Sequence, residues 1–301
     1  MKTIKPSILI LRRVLTLSAG MACAGGVARA QNLYVDSNNG NMEILSPSGA
    51  NLETVNDNNA LGLAFNSSGF LYQVHQNNTI SEISPNGTSL GTIATAGLDN
   101  PTALAINSSG VLFVANDIAG SGAGNATKYS ATGSDLGVFA TGSVGNNNYD
   151  GLAFNNNGYF FVANPYWNTI TIWTPGGVLS SQYNVSGAPD GVAFDSSDDM
   201  YVANATGNNV TEYNAAGSSL GVFISGLDDP TCLAFDSAGD LYVGNEANNT
   251  IKEYNSAGSL LNTISVNAPL DIAFEPTPEP STLALTAMGA LTSLFMFRRR
   301  K

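Results

Sequence analysis

A repeated unit constrains this chain more than any other feature in it. The stretch 189–223 reads PDGVAFDSSDDMYVANATGNNVTEYNAAGSSLGVF. It holds four short apolar runs, GVAF, MYVA, VTEY and LGVF. Each is bounded by Asn, Asp, Ser or Gly, the residues that turn a chain at low steric cost. Variants of this stretch fill the chain from Gln31 to Glu275. The first run ends at Phe65, Ile106, Phe154, Phe194, Phe235 and Phe274, at spacings of 39 to 48 residues. The second centres on Tyr34, Tyr72, Phe113, Phe161, Tyr201 and Tyr242. No stretch shows a 3.6-residue apolar period, which argues against helical repeats. Four strands per unit at a period near 40 predict an all-β chain, a six-bladed β-propeller of four-stranded blades.

The two ends of the array complement each other. The chain comes in at Gln31 directly on a second strand, NLYVD, and leaves at Phe274 after a first strand, LDIAF. The sixth blade therefore needs one strand from the C-terminal side and three from the N-terminal side. Strand 32–36 is expected to pair with 270–274, which closes the ring and removes an open sheet edge.

Three segments of different composition follow one another: 1–30, 31–275 and 276–301. Lys2, Lys5, Arg12 and Arg13 precede an apolar run from Val14 to Ala24, and Ala28-Arg29-Ala30 supplies small residues. That order reads as a secretory signal peptide cut after Ala30 by signal peptidase. At the other end, the Pro-rich EPTPEP of 275–280 leads into Ser281–Phe297, which carries no charge, and then into Arg298, Arg299, Arg300 and Lys301. Seventeen residues span about 25 Å as a helix, the lower limit for crossing a bilayer, and a basic stop holds that end in the cytoplasm.

Charge bounds the partners. All 23 carboxylates lie between Asp36 and Glu279, against two cations in that span, Lys128 and Lys252, a net of −21. Nucleic acid and anionic lipid are poor partners for such a surface, because phosphate binding needs clustered Lys or Arg. Cations and neutral polymers such as polysaccharide fit it. The only cysteine outside the leader is Cys232, which aligns with Ala103, Gly151 and Gly191 at a small-residue position and reads as a core thiol.

The tail resembles the PEP-CTERM sorting signal of Gram-negative bacteria, through Pro278-Glu279-Pro280, the apolar stretch 281–297 and the terminal basic cluster, in that order. The resemblance implies recognition by an exosortase, cleavage near the PEP motif, transient anchoring in the inner membrane through the C-terminal helix, and a setting in which exopolysaccharide is made. The repeats resemble NHL-type and SMP-30-like six-bladed propellers. The pattern is P-x-G-[VL]-A-F-[DN]-x-x-G-x-[LM]-[YF]-V-A-N-x-x-x-N-x-[IV], over roughly residues 31 to 275. That group spans lactonases, lyases and binding modules, so the fold alone does not carry a function.

In such propellers the start of the first strand and the end of the second open on one face. The first row holds Leu61, Thr102, Asp150, Asp190, Thr231 and Leu270; the second holds Ser37, His75, Asn116, Asn164, Asn204 and Asn245. Asp150, Asp190, Asn164 and Asn204 are thus candidates to converge on a hard cation such as Ca2+, which takes oxygen ligands. SMP-30-like enzymes hold a metal with a similar Glu/Asn/Asp set, but no Glu stands in these rows. His75 is the one histidine; as a lone base it is weak support for lyase chemistry, and it reads as an exposed turn residue. Tyr166 and Trp167 stand in the loop after Asn164, where aromatic rings suit stacking on sugars. No catalytic residue is identified. The leading expectation is a secreted, surface-associated, non-enzymatic binding or extracellular-matrix module; the alternative is a metal-dependent SMP-30-like lactonase or a propeller lyase.

Overall fold

The computed structural model describes residues 31–56, 59–117, 124–141 and 151–276. The signal peptide, Asp150, Pro278, Glu279, Pro280 and the apolar stretch 281–297 lie outside the described residues. Within them the chain forms six four-stranded antiparallel sheets and no helix. Each sheet is one blade, numbered here from the N-terminus, with its first strand innermost. The ring closes as the half-units require. Leu33–Ser37, Asn41–Leu45 and Asn51–Asn56 build the outer three strands of blade 1, and Pro269–Phe274 supplies its inner strand. Leu33 pairs with Phe274 and Val35 with Ile272.

Burial grades outward along each blade. The second strands, such as Phe160–Asn164 and Met200–Asn204, are buried along their whole length. They are covered on both faces, which is why they read as continuous apolar runs instead of alternating ones. The outermost strands, such as Ser219–Ser225, are largely exposed. The six outermost strands share an extra, unpaired residue at the same place, Leu52, Leu90, Leu136, Ser180, Leu220 and Leu261, and three of them skip a second, Ile93, Phe139 and Phe223. A bulge there twists the free edge and hinders pairing with another sheet, which offsets the exposed leucines.

Neighbouring blades are joined by a repeated aromatic contact. The last residue of an inner strand meets, edge to face, the second-strand aromatic of the preceding blade. The pairs are Tyr34–Phe65, Phe113–Phe154, Phe161–Phe194, Tyr201–Phe235 and Tyr242–Phe274, with ring centroids 4.7–5.0 Å apart. At the remaining seam Ile106 takes the place of the ring and packs in one cluster with Tyr72.

Two turn devices repeat as well. Asn66, Asn107, Asn155, Asp195 and Asp236 open the turn from first to second strand, and each side-chain oxygen accepts two main-chain N–H bonds within that turn. The turn from second to third strand holds Asn78, Asn168, Asn208 and Asn249 at φ of 52–60°, a conformation that Asn tolerates better than other side chains. Each of these amides reaches the next blade: Oδ1 accepts the main-chain N–H of Asn100, Ala188, Asp229 and Ala268 respectively, at 2.7–3.0 Å. The donating loops lead directly into the next inner strand, so the asparagine fixes both its own turn and the approach of the following blade.

Asn249→Ala removes this bond and leaves a β-carbon in a left-handed turn without the amide that makes it tolerable, and is expected to cost about 2 kcal/mol. Asn249→Gly removes the bond alone and should cost about half as much. Urea unfolding of both variants checks the order; equal losses would show that the left-handed turn itself is not strained.

Candidate functional site

The inner strands enclose a central channel with a cavity of about 520 Å³. Its upper end is shaped by a regular distortion. Leu61, Thr102, Thr231 and Leu270 are each skipped in the pairing of inner to second strand, and an irregularity falls between Pro189 and Val192, where Asp190 sits. Bulges re-aim side chains, and Leu61, Thr102, Thr231 and Leu270 all line the cavity. Thr231 Oγ1 donates to the carbonyl of Pro269 at 2.8 Å. Thr102 Oγ1 is 6 % exposed as a residue and has no hydrogen-bond partner among the described residues.

The second-strand ends behave differently. Asn164 is buried and its Nδ2 donates to Val162 O and Thr171 Oγ1. Asn204 Nδ2 donates to Val202 O, Asn209 Oδ1 and Thr211 Oγ1. These amides tie second to third strand inside the blade, and neither residue is among the described residues that line the cavity. Pro189 pairs with Asn204, so Asp190 stands beside the end of that second strand. Asp190 is 7 % exposed, and its main-chain carbonyl accepts the N–H of Gly151 from blade 4. Asn204 Oδ1 has no donor among the described residues. His75 is buried, not an exposed turn residue, and its Nε2 lies 2.7 Å from Ser81 Oγ on the third strand.

Tyr166 and Trp167 occupy the turn between Phe160–Asn164 and Thr169–Trp173, on the face where the inner strands begin. Tyr166 is 70 % exposed and Trp167 37 %, with ring centroids 6.2 Å apart at 74°. The turn is closed by left-handed Asn168, whose amide bond to Ala188 anchors it to blade 5. Tyr166 thus projects from a fixed turn, with Trp167 partly covered beside it.

The residue that sequence reasoning missed is Asp271. Aligning the six inner strands by their last residue places it with Gly62, Ala103, Gly151, Gly191 and Cys232. Small residues are needed there because inner strands run close: a β-carbon on Gly151 would meet Asp190 O at 2.3 Å, and one on Gly191 would meet Thr231 O at 2.8 Å. Asp271 reaches across that gap. Its Oδ2 accepts the main-chain N–H of Leu63 in blade 2, and its Oδ1 accepts that of Ile272, both at 2.8 Å. Leu63 is on the channel edge of its strand, so the carboxylate satisfies a donor that the ladder leaves open. The side chain is partly exposed, and the area it keeps faces the channel.

The surroundings of Asp271 are polar where the other seams are apolar. Asp36 is directly across the pair of strands, wholly buried, and accepts a bond from Gln73 Nε2 of blade 2 at 3.4 Å. Cys232, on the inner strand of blade 6, is the other ionisable group near it, and burial with the Asp271 charge pushes that thiol up. Burial raises the Asp271 carboxyl to about 7, against the pull of its two N–H donors. Among the described residues no group of three His, Cys, Asp or Glu side chains is placed to hold a metal.

Residues 276–301 match the PEP-CTERM protein-sorting motif. The chain carries a PEP-CTERM sorting signal. That signal implies an exported protein, sorted to the cell surface and processed by an exosortase. None of the curated proteins matches the chain in sequence. Among solved structures, a protein of unknown function from Bacteroides caccae is 17 % identical, with a TM-score of 0.68 over 82 % of this chain and 100 % of that one. A chain of the nidogen/laminin complex is 18 % identical, with a TM-score of 0.70 over 82 % and 98 %. Virginiamycin B lyase from Staphylococcus aureus is 15 % identical, with a TM-score of 0.53 over 74 % and 72 %. At these identities the likeness is one of fold, the NHL-like propeller that the repeats predict.

A carboxyl that binds its proton more tightly in the folded chain than in the unfolded one favours folding at low pH. The contribution of Asp271 is present below about pH 4 and is lost as pH rises through about 7. Asp271→Asn leaves one of the two N–H groups without an acceptor at every pH, so its stability relative to the unmutated protein should rise by about 2–4 kcal/mol between pH 4 and pH 8. Urea unfolding at pH 4, 6 and 8 tests this, and a difference that does not change with pH would contradict it.

Proposed function

We propose that this PEP-CTERM protein is a non-enzymatic binding module of the cell surface that holds polysaccharide, with Tyr166 and Trp167 as its stacking platform. The observation that carries the reading is the projecting aromatic turn. Tyr166 is 70 % exposed on a fixed turn of an otherwise polar face, next to turns built of Asn and Gly. An aromatic face stacks on the apolar face of a sugar ring, while the surrounding amides suit its hydroxyls. The net charge of −21 between Asp36 and Glu279 favours neutral glycans over acidic ones. The export route supports the same reading. A signal peptide at 1–30 starts export, and the apolar stretch 281–297 holds the chain in the inner membrane until an exosortase cuts near Pro278–Pro280. The propeller, 31–275, is then the part that reaches the surface, where exopolysaccharide is at hand.

Tyr166→Ala with Trp167→Ala should weaken retention of the protein in affinity electrophoresis through its host's exopolysaccharide, or through dextran, by at least tenfold. Tyr166→Ala alone should keep the melting temperature within a degree or two, and Trp167, 37 % exposed, should lower it further in the double variant. Unchanged retention of the double variant would rule out the platform.

A second reading rests on Asn204 Oδ1, buried beside Asp190 with no donor among the described residues. An amide oxygen and a carboxylate suit calcium, with Asp150 and Asn164 of blade 4 as further candidates. Millimolar calcium would then raise the melting temperature by mass action, and Asp190→Asn would abolish the rise. No rise in the unmutated protein would exclude this site.

A further inference from the structure

The central channel contains a second, independent feature. Apolar side chains such as Leu63, Leu104, Leu152, Val192 and Leu233 line its wall, alongside about as much polar surface. Asp271 is the ionisable side chain part-way along that wall, held in one orientation by the N–H groups of Leu63 and Ile272. The other acid lining the cavity, Asp236, belongs to a turn at the lower end, where its Oδ1 accepts the N–H groups of Ala238 and Asp240. Packing does not call for an acid at position 271. Five blades close at the same point with Gly, Ala or Cys.

No protein cation answers the Asp271 charge. The described residues include two, Lys128 and Lys252, and both are on third strands, away from the channel. A carboxylate inside the ring without a counter-ion is poorly solvated, and a bound cation relieves that cost. Thr102, nine-tenths buried and with its Oγ1 without a partner among the described residues, lines the same cavity from blade 3. That oxygen is closed off from the cavity, so Thr102 supplies wall and no hydrogen bond to a ligand.

We propose that the channel binds a small organic amine, with its ammonium group against Asp271 and its apolar body along the leucine side chains of the wall. An amine fits this wall better than a metal ion. A hard cation takes six or more oxygen ligands, whereas the wall presents one carboxylate among apolar side chains. An ammonium needs one ion pair and an apolar lining for the rest of the molecule. A cavity of about 520 Å³ is of the size that encloses small ligands. The net charge of the span, −21, attracts cations and excludes carboxylic acids and phosphates. The proposal is separate from the aromatic platform, which lies outside the channel on the blade 4 turn.

Calorimetric titration of the protein isolated from its host, with n-butylamine, cyclohexylamine and 2-phenylethylamine at pH 8, tests it. At least one amine should bind. Its neutral counterpart (2-phenylethanol for 2-phenylethylamine) should bind at least tenfold more weakly. Asp271→Asn should lose tenfold or more. Binding to the unmutated protein should also fall at least tenfold at pH 5, where a proton competes for the carboxylate. Circular dichroism shows whether Asp271→Asn is folded; if it is not, the pH comparison and the neutral counterpart decide. The proposal is overturned if none of the three amines binds at millimolar concentration, if the neutral counterpart binds equally well, or if binding is indifferent to both pH and Asp271→Asn. Tyr166→Ala with Trp167→Ala should leave amine binding unchanged, so failure here and failure of the polysaccharide reading are distinct results.

Discussion

The structure depends on one contact made over and over: the edge-to-face meeting of an inner-strand phenylalanine with the second-strand aromatic of the preceding blade. A single four-stranded sheet cannot bury both of its faces. Stacking blades around an axis buries them against each other, and the aromatic pair sets how far apart neighbouring sheets stand. Five of the six seams use it. The left-handed asparagines act at the opposite end of the same seams, where each amide holds the loop leading into the next blade. One seam is thus fastened by rings below and by amides above, and the channel between is left to the inner strands.

The seam between blades 1 and 2 departs from the rest. Its apolar cluster has three fully buried members, Met42, Leu63 and Leu71, whereas each of the other seams has nine. Buried Asp36, Gln73 and His75, with Asp271, occupy positions that are apolar, small or Asn elsewhere. A polar group that is buried must be hydrogen-bonded or it destabilises the fold, and this set is held across the seam by the Gln73–Asp36 and Leu63–Asp271 bonds. It lies beside the blade whose strands come from both ends of the propeller, so the most polar seam is next to the point of ring closure.

Export and surface chemistry bear on different parts of the chain. The sorting signal at 276–301 concerns where the protein goes. The propeller presents an acidic, amide-rich body with one projecting aromatic turn. The same fold occurs in a lyase and in a chain of the nidogen/laminin complex. Architecture therefore leaves function open, and the discriminating features are individual side chains on a shared frame.

Periodicity is a local property, and it was sufficient by itself for the strand count, the blade number, the closure of 33–37 on 269–274 and the turn chemistry of Asn and Asp. The sorting signal is also local, written as three adjacent compositions. What a side chain faces is not local. Asn164 and Asn204 read as channel groups, yet their amides bind within the blade, because the second strand is covered on both faces. The bulges that turn Leu61, Thr102, Thr231 and Leu270 toward the cavity insert one residue against the ladder, a register change that no residue pattern marks. Asp271 was visible as the one acid in an aligned column of small residues, but its importance depends on the approach of Leu63 from a strand more than two hundred residues earlier. Only the closed ring brings those two together, and only the closed ring removes that carboxylate from bulk water.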